Sequence, residues 1–138
     1  SKIEWGMDLA SEHERYLCEE VFKKLLFVTD YPQDLKSFYM KASEGCEPGR
    51  ITCQAVDLLV PGIGELCGGS MREDDPEKLM AVMEKKGMEK DQLQWYIDLR
   101  YDGGFTTGGF GLGFARFVSF LTDARHIKHV VPFPKAYA

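Results

Sequence analysis

No stretch of this 138-residue sequence stays apolar long enough to span a bilayer, and no secretory leader is recognisable in it. Its four cysteines, Cys18, Cys46, Cys53 and Cys67, lack the close pairing of a structural zinc site. Reduced thiols in a soluble intracellular protein are therefore the expectation. Neither His126 nor His129 has a nucleophile or an acid arranged around it, so the sequence supports no histidine-based triad. There is no Walker-type phosphate loop, and the glycine spacing is not that of the dinucleotide fingerprint. Internal repeats and low-complexity tracts are absent too. A net charge of −5 argues against a protein that coats nucleic acid, while leaving room for a local basic surface. What remains is a chain of single-domain length whose 44% hydrophobic share can build a core.

The stretch from Val56 to Glu73 organises the rest. It reads as two strands joined by a turn at Pro61-Gly62. Paired as a hairpin, the strands put Asp57 and Glu65 nearly opposite each other. Opposed like charges destabilise a sheet, so such a pair implies a cation between them, and magnesium suits two carboxylates. Glu65 and Arg72 are an odd number of positions apart, which places them on opposite faces of a regular strand. A bulge at Gly68-Gly69 would reset the alternation and turn Glu65, Ser70 and Arg72 to one side. The competing reading is an exposed amphipathic hairpin with solvated charges.

Upstream, Ser11-Glu12-His13-Glu14 predicts a capping box, with Ser11 as cap and Glu14 reaching back. The helix is expected over 12–24, with Tyr16, Leu17, Val21 and Leu25 toward the core. The run 25–29 predicts a strand stopped at Asp30-Tyr31-Pro32, residues 37–40 begin another, and 43–50 form an exposed loop. Downstream, Asp75-Pro76 starts a helix that ends at Gly87, and a second runs over 91–101. Strands in succession followed by helices predict an antiparallel α+β fold. Next, Gly109, Gly111 and Gly113 alternate with Phe110, Leu112 and Phe114. A strand interior rarely carries three glycines unless something approaches its backbone, and a flat ring fits such a floor. The apolar set is expected to pack inward, as are Phe114, Phe117, Val118 and Leu121 of the next helix. Arg116 leaves from that helix's first turn, where it can stack on a ring and meet a phosphate.

Hairpin acids, an arginine beyond them and a glycine strand before an arginine-bearing helix occur together in class II aminoacyl-tRNA synthetases. Trp5-Gly6-Met7-Asp8-Leu9, Tyr31-Pro32, Lys36-Ser37-Phe38-Tyr39-Met40, the stretch from Asp57 to Glu73, and that from Gly109 to Arg116 resemble the asparaginyl-tRNA synthetases. The resemblance covers essentially the whole chain, and Val131-Pro132-Phe133-Pro134 is similar to that family's C-terminus. It implies that residues 1–138 form the C-terminal portion of a class II catalytic domain, without the anticodon-binding domain. The implied fold is an antiparallel sheet flanked by helices. The implied reaction has two steps: asparagine attacks the α-phosphate of ATP to give asparaginyl-adenylate, and the asparaginyl group then passes to the 3′ end of tRNA(Asn).

Carried onto this sequence, Asp57 and Glu65 would hold magnesium on the ATP phosphates. Arg72 would meet the asparagine side chain, with Tyr39 lining the amino-acid pocket. Gly109, Gly111 and Gly113 would floor the adenine, and Arg116 would stack on it and reach the γ-phosphate. A homodimer away from membranes, in the cytoplasm or an organelle, is implied for the full-length enzyme. The chain departs from the family at Ala115, where an acid is usual, and at Thr107, where a histidine is usual. It also lacks the family's arginine-bearing second motif. The isolated chain is therefore expected to be inactive. Two other readings stay open: a non-catalytic or truncated paralogue, and a related asparagine synthetase that works through aspartyl-adenylate.

Overall fold

The computed structural model describes residues 4–135. Four strands pair in the order β1-β2-β3-β4: β1 Leu26–Pro32, β2 Thr52–Val60, β3 Gly64–Met71 and β4 Gly108–Leu112. The sheet is antiparallel and flanked by helices, as the α+β reading expects. The helices are α1 Ser11–Arg15, α2 Pro76–Lys85, α3 Gln94–Tyr101 and α4 Phe114–Thr122. The described residues fall into two compact units. The first holds 4–8, Thr29–Val56 and Gly69–Gly109; the second holds Leu9–Val28, Asp57–Gly68 and 110–135.

In the first unit, Leu79 and Met83 of α2 and Ile97 of α3 are fully buried, with Phe38, Tyr39, Met80, Met88, Leu93 and Tyr96 packed around them. Burying a side chain of that size is worth about 1.5–3 kcal/mol, so this cluster anchors the unit. The expected start of α2 is present: the Asp75 carboxylate accepts from the Glu77 and Lys78 amides at 3.0 and 3.3 Å, and Pro76 opens the helix. The expected stop is present too, with Gly87 at φ +66°. The second predicted helix forms as a 3₁₀ turn over Asp91–Leu93 leading into α3. Residues 37–40 build no strand of their own; Met40 and Ala42 make single antiparallel bridges to Arg72 and Cys53. β1 does not stop at Asp30 but runs through Pro32, and Asp30 takes a left-handed φ of 58° to do so.

In the second unit, the first helix departs from expectation. Its cap is Ala10, whose amide donates to His13 Nδ1 at 3.1 Å, so His13 and not Glu14 reaches back. After Arg15 the backbone widens into a π-helical stretch, Tyr16–Val21. Phe22 N bonds Leu17 O at 2.9 Å, one residue further back than an α-turn would allow. That widening breaks the 3.6-residue stripe. Cys18 is buried, while Tyr16, Val21 and Leu25 are exposed. The inward packing expected of β4 and α4 holds only in part: Phe117 and Val118 are half-buried, but Phe110, Leu112, Phe114 and Leu121 are exposed. Phe110 is 76% exposed, Phe114 72% and Leu121 64%, because nothing among the described residues covers them. Ser119 is the buried residue of α4.

Candidate active site

The second unit carries the acid pair. On β2, Cys53, Ala55, Asp57 and Leu59 are buried at alternate positions, so Asp57 is a carboxylate set in the buried row of its strand. Glu65 enters from β3 just after the turn, on an exposed backbone position. The two carboxylates converge over Gly68. A Cβ placed there would lie 2.6 Å from Glu65 Oε1 and 2.8 Å from Asp57 Oδ1. Only glycine leaves that space empty. The same fact bears on the register, because residues 65 and 68 of an unbroken strand point to opposite faces. The Glu65 carboxylate nonetheless reaches the bare side of Gly68, three positions along the same strand.

Arg116 lies against the backbone of Glu65. Its guanidinium donates to the Glu65 carbonyl at 2.6 Å, and Gly113 N donates to the Leu66 carbonyl at 3.0 Å. A Cβ on Gly113 would sit 3.3 Å from Arg116 Cδ, so that glycine makes room for the arginine. Gly111 is different: nothing among the described residues lies within 4 Å of the position its Cβ would take. A polar cavity of about 210 Å³ is lined by Ser11, Glu14, Arg15, Ile63, Gly64, Glu65 and Arg116. Arg15, on the helix that precedes the hairpin, is a second guanidinium in that lining which sequence reasoning passed over.

The first unit carries the arginine. Arg72 donates to Ser70 Oγ at 3.1 Å, and its guanidinium carbon lies 4.6 Å from the centre of the Tyr39 ring, a cation–π distance. A Cβ on Gly109 would come within 3.0 Å of the Arg72 guanidinium, so this glycine serves the arginine's side chain. Tyr39, Ser70, Arg72 and Gly109 are thus one group. Beside it stands a cluster that had no signal in the sequence. Lys41 Nζ meets Asp74 Oδ1 at 2.6 Å, and the Thr106 hydroxyl donates to Asp74 Oδ2. Those two donors hold the Asp74 carboxyl well below its ordinary range, at about 2, and the same carboxylate pushes the Lys41 ammonium upward. The partners lie 33 and 32 positions apart in sequence, and no periodicity links them.

Among the described residues no group of three or more His, Cys, Asp or Glu gathers on one point. The acid pair fits a hard divalent cation in chemistry: carboxylate oxygens of both residues reach one point above Gly68. Such an ion normally keeps water and substrate phosphates in its remaining positions. No helix among the described residues is long and apolar enough to cross a membrane.

Residues 1–137 match the family described as tRNA synthetases class II (D, K and N), and the chain belongs to that family. Its relatives sharpen this. The chain is 52% identical to an asparagine–tRNA ligase of Mycoplasma capricolum subsp. capricolum over 135 residues, 98% of this chain and 29% of that protein. It is 50% identical to the corresponding ligase of Bacillus cereus over 133 residues, 96% of this chain and 28% of the relative. The solved asparaginyl-tRNA synthetase of Pyrococcus horikoshii, complexed with asparaginyl-adenylate, shares 42% identity at a TM-score of 0.88 over 100% of this chain and 31% of its own. An aspartyl-tRNA synthetase of Entamoeba histolytica, 24% identical with a TM-score of 0.85, shares the fold. The chain spans about three-tenths of the length of the curated relatives it matches.

Proposed function

We propose that this chain forms part of the catalytic domain of an asparaginyl-tRNA synthetase, the part that faces ATP and asparagine. The observation that carries the reading is the convergence of the Asp57 and Glu65 carboxylates over Gly68, with Arg116 bonded at Glu65. In this reading, asparagine attacks the α-phosphate of ATP, pyrophosphate leaves, and the asparaginyl group is transferred to the 3′ end of tRNA(Asn). Asp57 and Glu65 would hold magnesium, which when bound neutralises phosphate charge. Arg116 would bind the terminal phosphate and cover the adenine. Gly111 leaves room along the strand for a flat ring to approach the backbone, and Gly113 would complete that floor beside Arg116.

Arg72 would donate to the side-chain oxygen of asparagine, held for that task by Ser70 and by the face of Tyr39. A planar guanidinium in a fixed orientation discriminates by geometry as well as charge. Positioning and charge neutralisation supply most of the rate in chemistry of this kind, which suits a site built of acids, arginines and bare backbone.

The test is ATP–pyrophosphate exchange by the protein that carries this chain, with asparagine as the amino acid. Glu65→Gln removes a charge while keeping shape, and is expected to lower magnesium-dependent exchange by about 10²-fold or more with folding intact. Exchange that is unchanged at limiting magnesium would remove the acid pair from the mechanism. Exchange driven by aspartate but not asparagine would replace the asparaginyl reading with the aspartyl one.

A further inference from the structure

Arg72 raises a question of placement. Among the described residues no carboxylate pairs with its guanidinium; its side-chain partners are the Ser70 hydroxyl and the Tyr39 ring, both neutral. Neutral partners of this kind hold a long side chain weakly compared with a carboxylate fork. Its position is therefore inherited from its backbone, and that backbone is held on both sides. Arg72 N donates to Thr107 O at 2.8 Å on one side. On the other, Glu73 N donates to Tyr39 O at 2.8 Å and Lys41 N to Met71 O at 3.0 Å. The segment 71–73 thus lies between two walls, residues 39–41 and 106–107.

We propose that Asp74 is a positioning residue that ties those two walls together, through Lys41 on one and Thr106 on the other, and so fixes where Arg72 points. Its carboxylate is the point at which both walls meet: Lys41 Nζ at 2.6 Å and the Thr106 hydroxyl on the second oxygen. The Lys41 and Asp74 side chains are only 21% and 22% exposed, so the pair is screened less than an ion pair on open surface. Glu73 and Glu44 also face Lys41 and reinforce its charge. The wall at 106–107 has few other ties to depend on, since residues 101–108 are all exposed. The loop ahead of the glycine strand is therefore latched by the Asp74 carboxylate together with the backbone bond from Arg72 N to Thr107 O. The assignment of Arg72 to the asparagine side chain rests on the function proposed above; the latch itself does not.

The experiment uses the active enzyme with Asp74→Ala, Thr106→Val and Thr106→Ser. Thr106→Val removes one hydroxyl from an exposed loop and keeps the core untouched, so it remains readable if Asp74→Ala folds poorly. Both disruptive variants are expected to raise the KM for asparagine about tenfold or more while moving the KM for ATP less than about twofold. Thr106→Ser is expected to restore the wild-type value. Hydrogen exchange at the Arg72 amide, which bonds Thr107, is expected to quicken in Thr106→Val and stay slow in Thr106→Ser. An unchanged Arg72 amide, or equal shifts in both KM values, would overturn the role given to Asp74. An enzyme that activates a different amino acid would overturn the asparaginyl reading alone, because the same split, read in that amino acid's KM, still decides the role of Asp74.

Discussion

Gly68 carries the tightest constraint of any single residue in the proposed site. Gly68→Ala puts a methyl group 2.6 Å from Glu65 Oε1 and 2.8 Å from Asp57 Oδ1, and both atoms are free ends of side chains that can swing aside. The fold is expected to lose only about 1 kcal/mol in urea unfolding, while magnesium-dependent exchange falls at least about tenfold. A variant that unfolds, or one that keeps full exchange, would show that the glycine serves the strand and not the acids. Arg72→Lys keeps the charge and loses the planar fork, so the KM for asparagine should rise far more than that for ATP. Asp57 was legible as a charge in the apolar row of its strand, and Glu65 as the acid that hairpin pairing sets nearly opposite it. Lys41, Asp74 and Thr106 were not legible, since each is an ordinary surface-type residue until the fold brings it to the others.

Among the elements, α2 was read correctly at both ends because its signals are local: an Asp-Pro start and a glycine stop. Asp75→Ala removes the side chain that accepts from two amides, and the expected cost is about 1 kcal/mol in thermal or chemical unfolding. A loss below a few tenths would mean that water replaces the cap. The stretch 12–24 was misread for the opposite reason. A π-helical turn widens the helix through its own hydrogen-bond pattern, and no residue spacing announces it. A strand does form at the alternating glycines, over Gly108–Leu112, but its apolar side chains stay exposed, since cover depends on what lies outside the strand.

For the whole molecule, the titration of Asp74 shapes acid stability. Its carboxyl is depressed to about 2 in the folded protein against about 3.9 when unfolded. A depressed carboxyl stabilises the fold above its unfolded value, and that contribution disappears as the pH falls toward 2. Unfolding free energies of wild type and Asp74→Asn should therefore differ most above about pH 5 and converge near pH 2. A gap that persists in acid would assign the difference to packing. The exposed Phe27, Phe110, Phe114 and Leu121 lead to a second expectation. Exposed apolar side chains in this number favour association, so the 138-residue chain on its own should sediment as concentration-dependent assemblies. A monomer up to about 100 µM would count against that.

Gly111 separates two kinds of selection. Its backbone has no left-handed φ, and nothing among the described residues stands within 4 Å of the place where a side chain would begin, so neither backbone nor packing among them requires a glycine there. A glycine inside a strand even weakens it. In a library sorted for folding alone, position 111 should therefore accept alanine, serine and threonine, and the best-folding members should carry them. In the same library sorted for growth dependent on the enzyme, it should return to glycine. The gap between those two outcomes measures a visitor the folded chain does not contain, and a position equally tolerant under both would mean that no ring ever lies there.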